Sequence, residues 1–349
     1  EVMSVEPHPD ADKLRVTQVN IGRDEWIQIV CGAPNVRVGM KAPVAIVGAV
    51  LPTNDSQGFH IKASELRGIA SNGMLCGASE IDLVDSIDGL LELADDAPVG
   101  IDIREYLGLD NQIFDISITP NRGDCFSVRG IAREIAVINE LDLQLPEISM
   151  ECAADNTANT SNVQVKAVEQ CPRYLLQAIS DIDRTIDTPK WISDALVQSG
   201  LRTHNFLVDV TNYVLMELGQ PLHAFDADTI EGDIQVRLAK PQESLTLLND
   251  QILSLVGDEL VIADDEGILA LAGIMGGKRS SVTETTTNIL LESAFFSPLA
   301  IAGRARRFGL HTDASQRFER GVDFELPMLA LARARELITS VTDGKAGQI

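Results

Sequence analysis

The first third of the chain carries the short alternating pattern of β-strands. Residues 15–21 alternate polar and apolar side chains, residues 26–31 follow a polar turn, and residues 44–51 are nearly all apolar. Alternation over a few residues between turns predicts strands with one buried face. Several such strands at short spacing predict a small β-barrel within residues 1–108.

The pattern changes beyond this region. Residues 116–124 are typical of a strand that enters a turn, and apolar residues then recur at helical spacing from Val128 to Ile138. This spacing predicts one amphipathic helix that ends at about Leu141. Residues 151–162 are rich in turn formers and have almost nothing to bury, so we place the main domain boundary there.

Helix-start signals recur in the second half. Thr188 offers an N-cap hydroxyl, Pro189 occupies the first helical position, and Gly200 ends the predicted helix. Residues 297–298, Ser-Pro, start another helix by the same device. A last helix is predicted over residues 326–338, where leucines alternate with Arg and Glu.

Strand-like runs separate these helices at residues 234–238, 260–263 and 289–291. Their alternation with helices predicts an α+β fold with a mixed sheet for this half. The whole chain is therefore predicted to be an α+β multi-domain protein.

Composition limits the function classes. With 349 residues and 45% hydrophobic residues the chain is too apolar to be disordered, and no apolar run approaches the ~18 residues of a membrane helix. Its 52 Asp+Glu against 28 Lys+Arg give a net charge of −24. This acidity argues against indiscriminate nucleic-acid binding, because phosphate affinity rests on Lys and Arg. Any nucleic-acid contact must be local.

Cysteine usage favours a reducing cytoplasm. The cysteines are odd in number and scattered, without a Cys-x-x-Cys pair, which speaks against a disulfide framework and against a zinc site. They are Cys31, Cys76, Cys125, Cys152 and Cys171. The sequence begins at Glu1 with no charged-then-apolar leader, so we expect a piece of a longer chain.

Three cations in the predicted barrel are candidate nucleic-acid contacts. Lys13 precedes the first predicted strand, and Lys62 and Arg67 share one polar segment. Small five-stranded barrels bind oligonucleotides with one face and its loops. The alternative is that all three are ordinary surface charges.

A polar cluster lies in the second half, where Thr211, Asn212, His223 and Asp226 are close in sequence. A histidine can act as a general base or orient a water, because its pKa ordinarily lies near neutrality. A structural hydrogen-bonding role for His223 is the alternative.

Two further features follow. Residues 272–277 place glycines where a backbone turns tightly or approaches a ligand, but they lack the Lys-Ser/Thr of a phosphate loop and the G-x-G-x-x-G order. An NTP or NAD site is therefore not indicated.

Glu292 lies inside an apolar run, where an unpartnered charge is costly to bury. It either recognises a polar group or faces outward from a strand.

Five arginines between residues 303 and 321 form a basic island in this acidic chain. They are Arg304, Arg306, Arg307, Arg317 and Arg320. Clustered arginines favour phosphate contacts because the guanidinium offers paired donors. Pairing with acids elsewhere in the chain is the alternative.

Seven blocks carry a family resemblance. In chain order they are His8-Pro-Asp-Ala-Asp-Lys-Leu14, Cys31-Gly-Ala-Pro-Asn35, Ser71-Asn-Gly-Met-Leu-Cys76, Thr119-Pro-Asn-Arg-Gly-Asp124, Val208-Asp-Val-Thr-Asn-Tyr213, Gln220-Pro-Leu-His-Ala-Phe-Asp226 and Arg304-Ala-Arg-Arg-Phe-Gly-Leu-His-Thr-Asp-Ala-Ser315. At these blocks the chain resembles the beta subunit of bacterial phenylalanyl-tRNA synthetase. The family's chain begins earlier and continues beyond Ile349, which implies its front portion.

The resemblance implies three domains. Residues 1–108 are expected to form an OB-fold β-barrel that binds tRNA, residues 109–165 a connecting α/β domain and linker, and residues 166–349 a mixed-sheet α+β editing module. The chain would then be part of a phenylalanine-tRNA ligase and would hydrolyse tyrosine mischarged onto tRNA(Phe).

The resemblance also implies site residues by matching motif positions. Those expected to be catalytic are His223, Thr211 and Asn212. Those expected to line the editing pocket are Glu292, Gly276, Pro221, Thr312 and Ala314. Arg202 is expected to contact the tRNA end, in addition to the expected tRNA contacts Lys13, Lys62 and Arg67 of the barrel.

Partners and cofactors follow from the same resemblance. The family places amino-acid activation in the alpha subunit, so ATP and magnesium are expected for the full enzyme and no cofactor or metal for this part. The expected partners are tRNA(Phe) and the alpha subunit, in a cytoplasmic tetramer of two alpha and two beta chains, with no membrane. The alternative function is a non-catalytic scaffold that binds tRNA and assembles the subunits.

Overall fold

The computed structural model describes residues 1–53, 58–83, 88–150 and 162–349. They form two compact units, Glu1–Gln112 and Ile113–Ile349. The predicted boundary segment and Cys152 lie outside the described residues, except for Asn162. The domain limits at residues 108 and 165 therefore stay predictions. No helix in the described part of the chain has the length and apolar character needed to cross a membrane.

The first unit consists of short strands and one short helix. Its elements are β1 (Val2–His8), β2 (Ala11–Val19), β3 (Ile27–Cys31), β4 (Val44–Ile46), β5 (Val50–Leu51), β6 (Phe59–His60), β7 (Ser64–Leu66), β8 (Ile69–Ser71), β9 (Gly73–Leu75) and α1 (Ile103–Leu107). Strands β1, β2 and β3 form an antiparallel sheet in that order, and the others pair as β4–β9, β5–β6 and β7–β8. Its largest apolar core includes Val2, Val19 and Ile29.

The predicted barrel is not closed among the described strands, which form separate small sheets. One reason is local. The apolar run 44–51, predicted as a single strand, contains β4 and β5 with a turn between them, where Gly48 adopts a φ of 94°. A turn of this kind ends the hydrogen-bonded ladder, because a positive φ does not fit an extended strand.

The second unit mixes helices with three sheets. Its elements are α2 (Val128–Ile138), β10 (Val163–Val165), β11 (Arg173–Ser180), α3 (Lys190–Gln198), α4 (Phe206–Leu218), β12 (Leu222–Asp226), β13 (Ile234–Leu238), β14 (Ser244–Thr246), β15 (Ile252–Ser254), β16 (Leu260–Ala263), β17 (Ile268–Leu271), β18 (Met275–Gly276), β19 (Ile289–Phe295), α5 (Pro298–Ile301), α6 (Arg304–Arg307), α7 (Asp313–Arg320), α8 (Leu326–Val341) and β20 (Lys345–Ala346). The α+β class is confirmed.

Two of the sheets define this unit. The five-stranded sheet has the order β10-β13-β16-β17-β18, with β10 parallel to β13 and the other pairs antiparallel, so the predicted mixed sheet is confirmed. The four-stranded sheet has the order β12-β19-β11-β20 and is antiparallel throughout. Strands β14 and β15 form a separate ribbon.

The four-stranded sheet separates two apolar clusters. On one face, Phe225 and Leu290 pack in a cluster that includes Ile262 of the five-stranded sheet. On the other face, Leu291 packs with Leu207 and with other residues of α3, α4 and α8. Side chains along each strand alternate between the two clusters, as expected of a sheet that is covered on both faces.

Three local predictions were wrong. Residues 116–124 contain no strand, and the apolar side chain of Ile116 is exposed, so the segment lacks the buried face that favours a strand. The helices do start near the predicted prolines, but neither hydroxyl caps its helix. The Thr188 hydroxyl instead donates to the Asp209 carboxylate at 2.6 Å. Asp209 is buried, and a buried charge requires such partners.

Candidate active site

The centre of the candidate site is Glu292, in the middle of the four-stranded sheet. It lies on β19 directly opposite His223 of β12 on one side and Leu176 of β11 on the other. Residues paired directly across a sheet point to the same face. All three side chains therefore face the cluster that contains Phe225, which is the side of the five-stranded sheet.

Glu292 carries an unused hydrogen-bond acceptor in a buried position. Its side chain is buried, with 6% of the residue exposed, and its Oε2 has no hydrogen-bond partner among the described residues. Burial raises the pKa of Glu292 to about 8, and the nearby Tyr174 hydroxyl partly offsets this by favouring the ionised carboxyl. The alternative of an outward-facing acid is therefore wrong.

His223 is the second buried polar group of the site. Its Nε2 also has no hydrogen-bond partner among the described residues, and its ring meets Phe225 edge-on with 4.5 Å between centroids. Burial lowers the pKa of His223 to about 4. The imidazole is therefore neutral and weakly basic at physiological pH, a state that suits orienting a water better than storing a proton.

Gly276 approaches His223 from the five-stranded sheet. A Cβ at this position would lie 2.5 Å from His223 Cε1 and 2.9 Å from its Nε2, closer than atoms normally approach. Glycine on β18 thus leaves the room that the imidazole occupies between the two sheets. The sequence-based idea that this glycine segment approaches a functional group fits this geometry.

The start of α7 lies beside the same glycine strand. Thr312 caps this helix by accepting from the Ser315 backbone N–H, and its own hydroxyl donates to the Ile274 carbonyl at 2.9 Å. Ile274 precedes Gly276 by two positions. Ala314, in the first turn, packs against the cluster under the four-stranded sheet. Both predicted pocket residues therefore lie on the Gly276 side.

The other predicted site residues, Thr211, Asn212 and Pro221, make no described hydrogen bond to Glu292 or His223. The Thr211 hydroxyl donates to the Val208 carbonyl of its own helix at 2.7 Å, and Asn212 follows on α4, half-buried. Pro221 is buried just before β12. In the described part of the chain, no hydrogen bond joins Thr211 or Asn212 to His223. The Thr211 proton is committed to its helix, which leaves only lone pairs for a ligand.

The predicted tRNA contacts are exposed cations. Lys13 lies on β2, and Lys62 lines a cavity of about 570 Å³ in the first unit. The Arg67 guanidinium donates to the Asp10 carbonyl at 3.0 Å, which holds it at the surface. Arg202 is exposed between α3 and α4 of the second unit.

The basic island is largely neutralised within the chain. Arg304 and Arg307 both pair with Asp258, at 3.0 and 2.7 Å. Arg317 is buried and pairs with Asp313 at 3.0 Å. For these three arginines the alternative of acid pairing is confirmed, and the pairing lowers the positive charge that they can offer to a phosphate.

A group of possible metal ligands lies outside the Glu292 site. The ligand atoms of Asp124, Cys125 and Glu134 lie within 4.8 Å of one another. The Arg122 guanidinium donates to all three side chains. It stands where a cation would, so the group is an ion-pair network around an arginine.

Comparisons with known proteins match two parts of the chain to two different domain families. Residues 1–102 match a tRNA binding domain family, and residues 170–343 match the B3/4 domain family. The chain is 78% identical over all 349 residues to the phenylalanine-tRNA ligase beta subunit of Psychrobacter arcticus and 63% identical to that of Acinetobacter baylyi. The chain belongs to this family. It spans 44% and 43% of the length of these two phenylalanine-tRNA ligase beta subunits.

A solved structure also matches, but only distantly. It is an N-terminal fragment of the phenylalanyl-tRNA synthetase beta-subunit from Pyrococcus horikoshii, with a TM-score of 0.40 and 17% identity over 72% of each chain. A similarity at this level carries no argument about the site.

The family matches enclose the candidate residues of both units. The tRNA binding match covers Lys13, Lys62 and Arg67, and the B3/4 match covers Glu292 and every residue placed around it above. One member of that neighbourhood, Tyr174, was missed from the sequence. The only available signal was a tyrosine inside the buried strand pattern of residues 173–180, where a phenol needs a polar partner.

Proposed function

We propose that this chain supplies the editing site of a phenylalanine-tRNA ligase and hydrolyses tyrosine mischarged onto tRNA(Phe). The observation that carries the proposal is a buried carboxyl with a free acceptor, Glu292, held opposite His223 on one sheet face. A buried acceptor without a partner can test for one hydroxyl group. That is the difference between tyrosine and phenylalanine.

The chemical logic is a second test after a first pocket has failed. A synthesis pocket shaped for phenylalanine rejects an analogue with one added hydroxyl only incompletely, and a second pocket can accept that hydroxyl and hydrolyse the ester. In this proposal Glu292 accepts a hydrogen bond from the tyrosine phenol. Bound phenylalanine leaves the buried carboxyl unpartnered, which costs ~1–3 kcal/mol.

The hydrolytic step requires placement more than activation. An aminoacyl ester is already labile, so the protein has mainly to hold a water and stabilise the developing oxyanion. Neutral His223 orients the water or the ester, with Asn212 and the Thr211 oxygen as further contacts. No obligatory general base is assigned, because the terminal ribose hydroxyl of the tRNA can share that task.

The role of the whole protein is part of the same proposal. We expect this chain to act in a cytoplasmic ligase with an alpha subunit in an assembly of two alpha and two beta chains. ATP and magnesium would serve amino-acid activation in the alpha subunit. The glycine-rich residues 272–277 lack a phosphate-loop sequence and offer no such site for ATP.

Exchange of Glu292 tests the editing proposal. We expect Glu292→Ala to reduce the preference for Tyr-tRNA(Phe) over Phe-tRNA(Phe) by about ten- to a hundredfold. The preference arises because bound phenylalanine leaves the Glu292 carboxyl unpaired at a cost of ~1–3 kcal/mol, and alanine has no carboxyl to leave unpaired. The measurement is the initial deacylation rate of each ester by the full-length beta subunit assembled with its alpha subunit. Glu266→Ala is the control, because Glu266 is exposed and pairs with Arg279 in the same unit.

Three results would contradict the proposal. Equal hydrolysis of both esters by the unmodified enzyme would remove the discrimination altogether. An unchanged preference in Glu292→Ala would assign the discrimination to other residues. Absence of any hydrolysis, with tRNA binding retained, would instead favour the non-catalytic scaffold.

We also propose that the first unit binds the tRNA backbone through Lys13 and Lys62. The double variant Lys13→Ala/Lys62→Ala is expected to weaken tRNA binding and to reduce the slope of log affinity against log salt by about 1 to 2, since each lost phosphate contact retains about one counterion. Filter binding at several salt concentrations measures the slope. The control Lys166→Ala/Lys240→Ala removes the same charge from exposed positions of the second unit, and an equal slope change there would refute the assignment.

A further inference from the structure

Three buried polar atoms belong to side chains on the face of the four-stranded sheet that holds Glu292. They are Glu292 Oε2, His223 Nε2 and the Tyr174 hydroxyl, and none has a hydrogen-bond partner among the described residues. The proposed function uses the first two. Tyr174 has no part in it, and a buried phenol without a partner requires an explanation.

The sheet register brings Tyr174 to Glu292. Tyr174 lies opposite Ala294 on β19, and Leu176 lies opposite Glu292. Since side chains two positions apart share a face, Tyr174 and Glu292 are diagonal neighbours, a separation within reach of an aromatic side chain. The proximity is also electrostatic, because the Glu292 charge contributes to raising the pKa of Tyr174.

We propose that Tyr174 is a positioning residue for Glu292. When the substrate binds, the Tyr174 phenol O–H, which has no partner among the described residues, donates to one carboxyl oxygen of Glu292 and so leaves the other to accept the substrate hydroxyl. This inference rests on the proposed function. A carboxyl without a fixed neighbour can rotate and, when protonated, can donate as well as accept. A donor on one oxygen restrains both freedoms.

The surroundings of Glu292 leave this task to Tyr174. Among the described residues, no Lys or Arg forms an ion pair with Glu292. The titratable groups that face it are Tyr174 and Cys171 from the side of β11 and His223 from β12. Of these, the Tyr174 hydroxyl is the one that favours the ionised carboxyl.

The test is Tyr174→Phe in the full-length enzyme, assayed for deacylation of Tyr-tRNA(Phe) and Phe-tRNA(Phe) between pH 6 and pH 9. We expect the preference for the tyrosyl ester to fall about fivefold, because one hydrogen bond contributes ~1 kcal/mol. We also expect the pH at which this preference is half-maximal to move upward, because loss of the phenol raises the pKa of Glu292 further. Tyr213→Phe is the matched control. The Tyr213 hydroxyl donates to the Glu217 carboxylate at 3.3 Å, and both residues lie on α4 and not on β19.

The outcomes separate this inference from the proposed function. Selective hydrolysis by the unmodified enzyme that Glu292→Ala abolishes, but that Tyr174→Phe leaves unchanged in preference and pH midpoint, overturns the role of Tyr174 alone. An equal loss of both esters without a movement of the midpoint would also overturn it, since that is the signature of a packing role. No tyrosyl preference in the unmodified enzyme would overturn both.

Discussion

Replacing Gly276 with valine is expected to reduce hydrolysis of Tyr-tRNA(Phe) by about a hundredfold, because a displacement of about 1 Å at a reacting group costs that much. A Cβ at this position would lie 2.5 Å from His223 Cε1, so the imidazole must move. Its new position no longer holds the water or the ester.

The measurement is the single-turnover deacylation rate of the full-length enzyme. Gly267→Val is the matched control, because a Cβ at Gly267 would meet no atom within 4 Å and the residue lies in the same unit. Gly276→Ala should give an intermediate loss, since the Cβ alone meets the ring. A fully active Gly276→Val enzyme with an unchanged thermal unfolding midpoint would show that His223 is not needed where it lies.

The elements of this fold differ in how far their sequences determine them. Residues 234–238 and 260–263 were predicted as strands with the bounds that the structure has, because each is a short apolar or alternating run between turns. Helix α4 was not predicted. Apolar residues such as Val208 and Met216 also occupy its less buried sides, so the hydrophobic period of 3.6 residues is weak in its sequence.

The candidate site could be predicted only in part. The family resemblance named His223 and Glu292, but their direct pairing depends on the strand order β12-β19-β11, a long-range feature that neither local pattern contains. The approach of Gly276 to His223 likewise depends on how two sheets face each other. Residue types were therefore readable from the sequence, and their spatial relations were not.

The basic island shows the opposite error. Five arginines in an acidic chain favoured a phosphate site, yet Arg304 and Arg307 reach Asp258, on the loop before β16. Acids distant in sequence were available as partners, and only the fold selects among them. Charge clustering along a sequence therefore says little about the free charge at a surface.

Replacing Glu292 with glutamine is expected to raise the free energy of unfolding of the second unit more at pH 8 than at pH 5. The difference between the two effects is about 4 kcal/mol. Burial raises the pKa of Glu292 from 4.5 to about 8, so the folded protein keeps a proton that the unfolded chain has released across this window. The folded state of the unmodified protein therefore loses stability as the pH rises from 4.5, the pKa of Glu292 in the unfolded chain, through about 8, its pKa in the folded protein. Glutamine resembles the protonated carboxyl and carries no such penalty.

Urea unfolding at pH 5 and pH 8 measures this difference. In a protein of these 349 residues, a Trp26→Phe background leaves Trp191, in α3, as the single tryptophan and thus as a reporter of the second unit. Glu243→Gln is the control of opposite sign. Hydrogen bonds from Arg237 lower the pKa of Glu243, so its contribution is present at high pH and lost as the pH falls through its folded pKa.

The comparison of the two variants separates a strained functional group from a structural one. If Glu292 is held in the site for recognition, its replacement by glutamine should increase stability at pH 8, since buried unpartnered groups persist where a ligand completes them. If Glu292→Gln instead destabilises the unit at pH 8, the carboxyl has partners that stabilise the fold. Its free oxygen would then not be available to a substrate, and the proposed discrimination would fail with it.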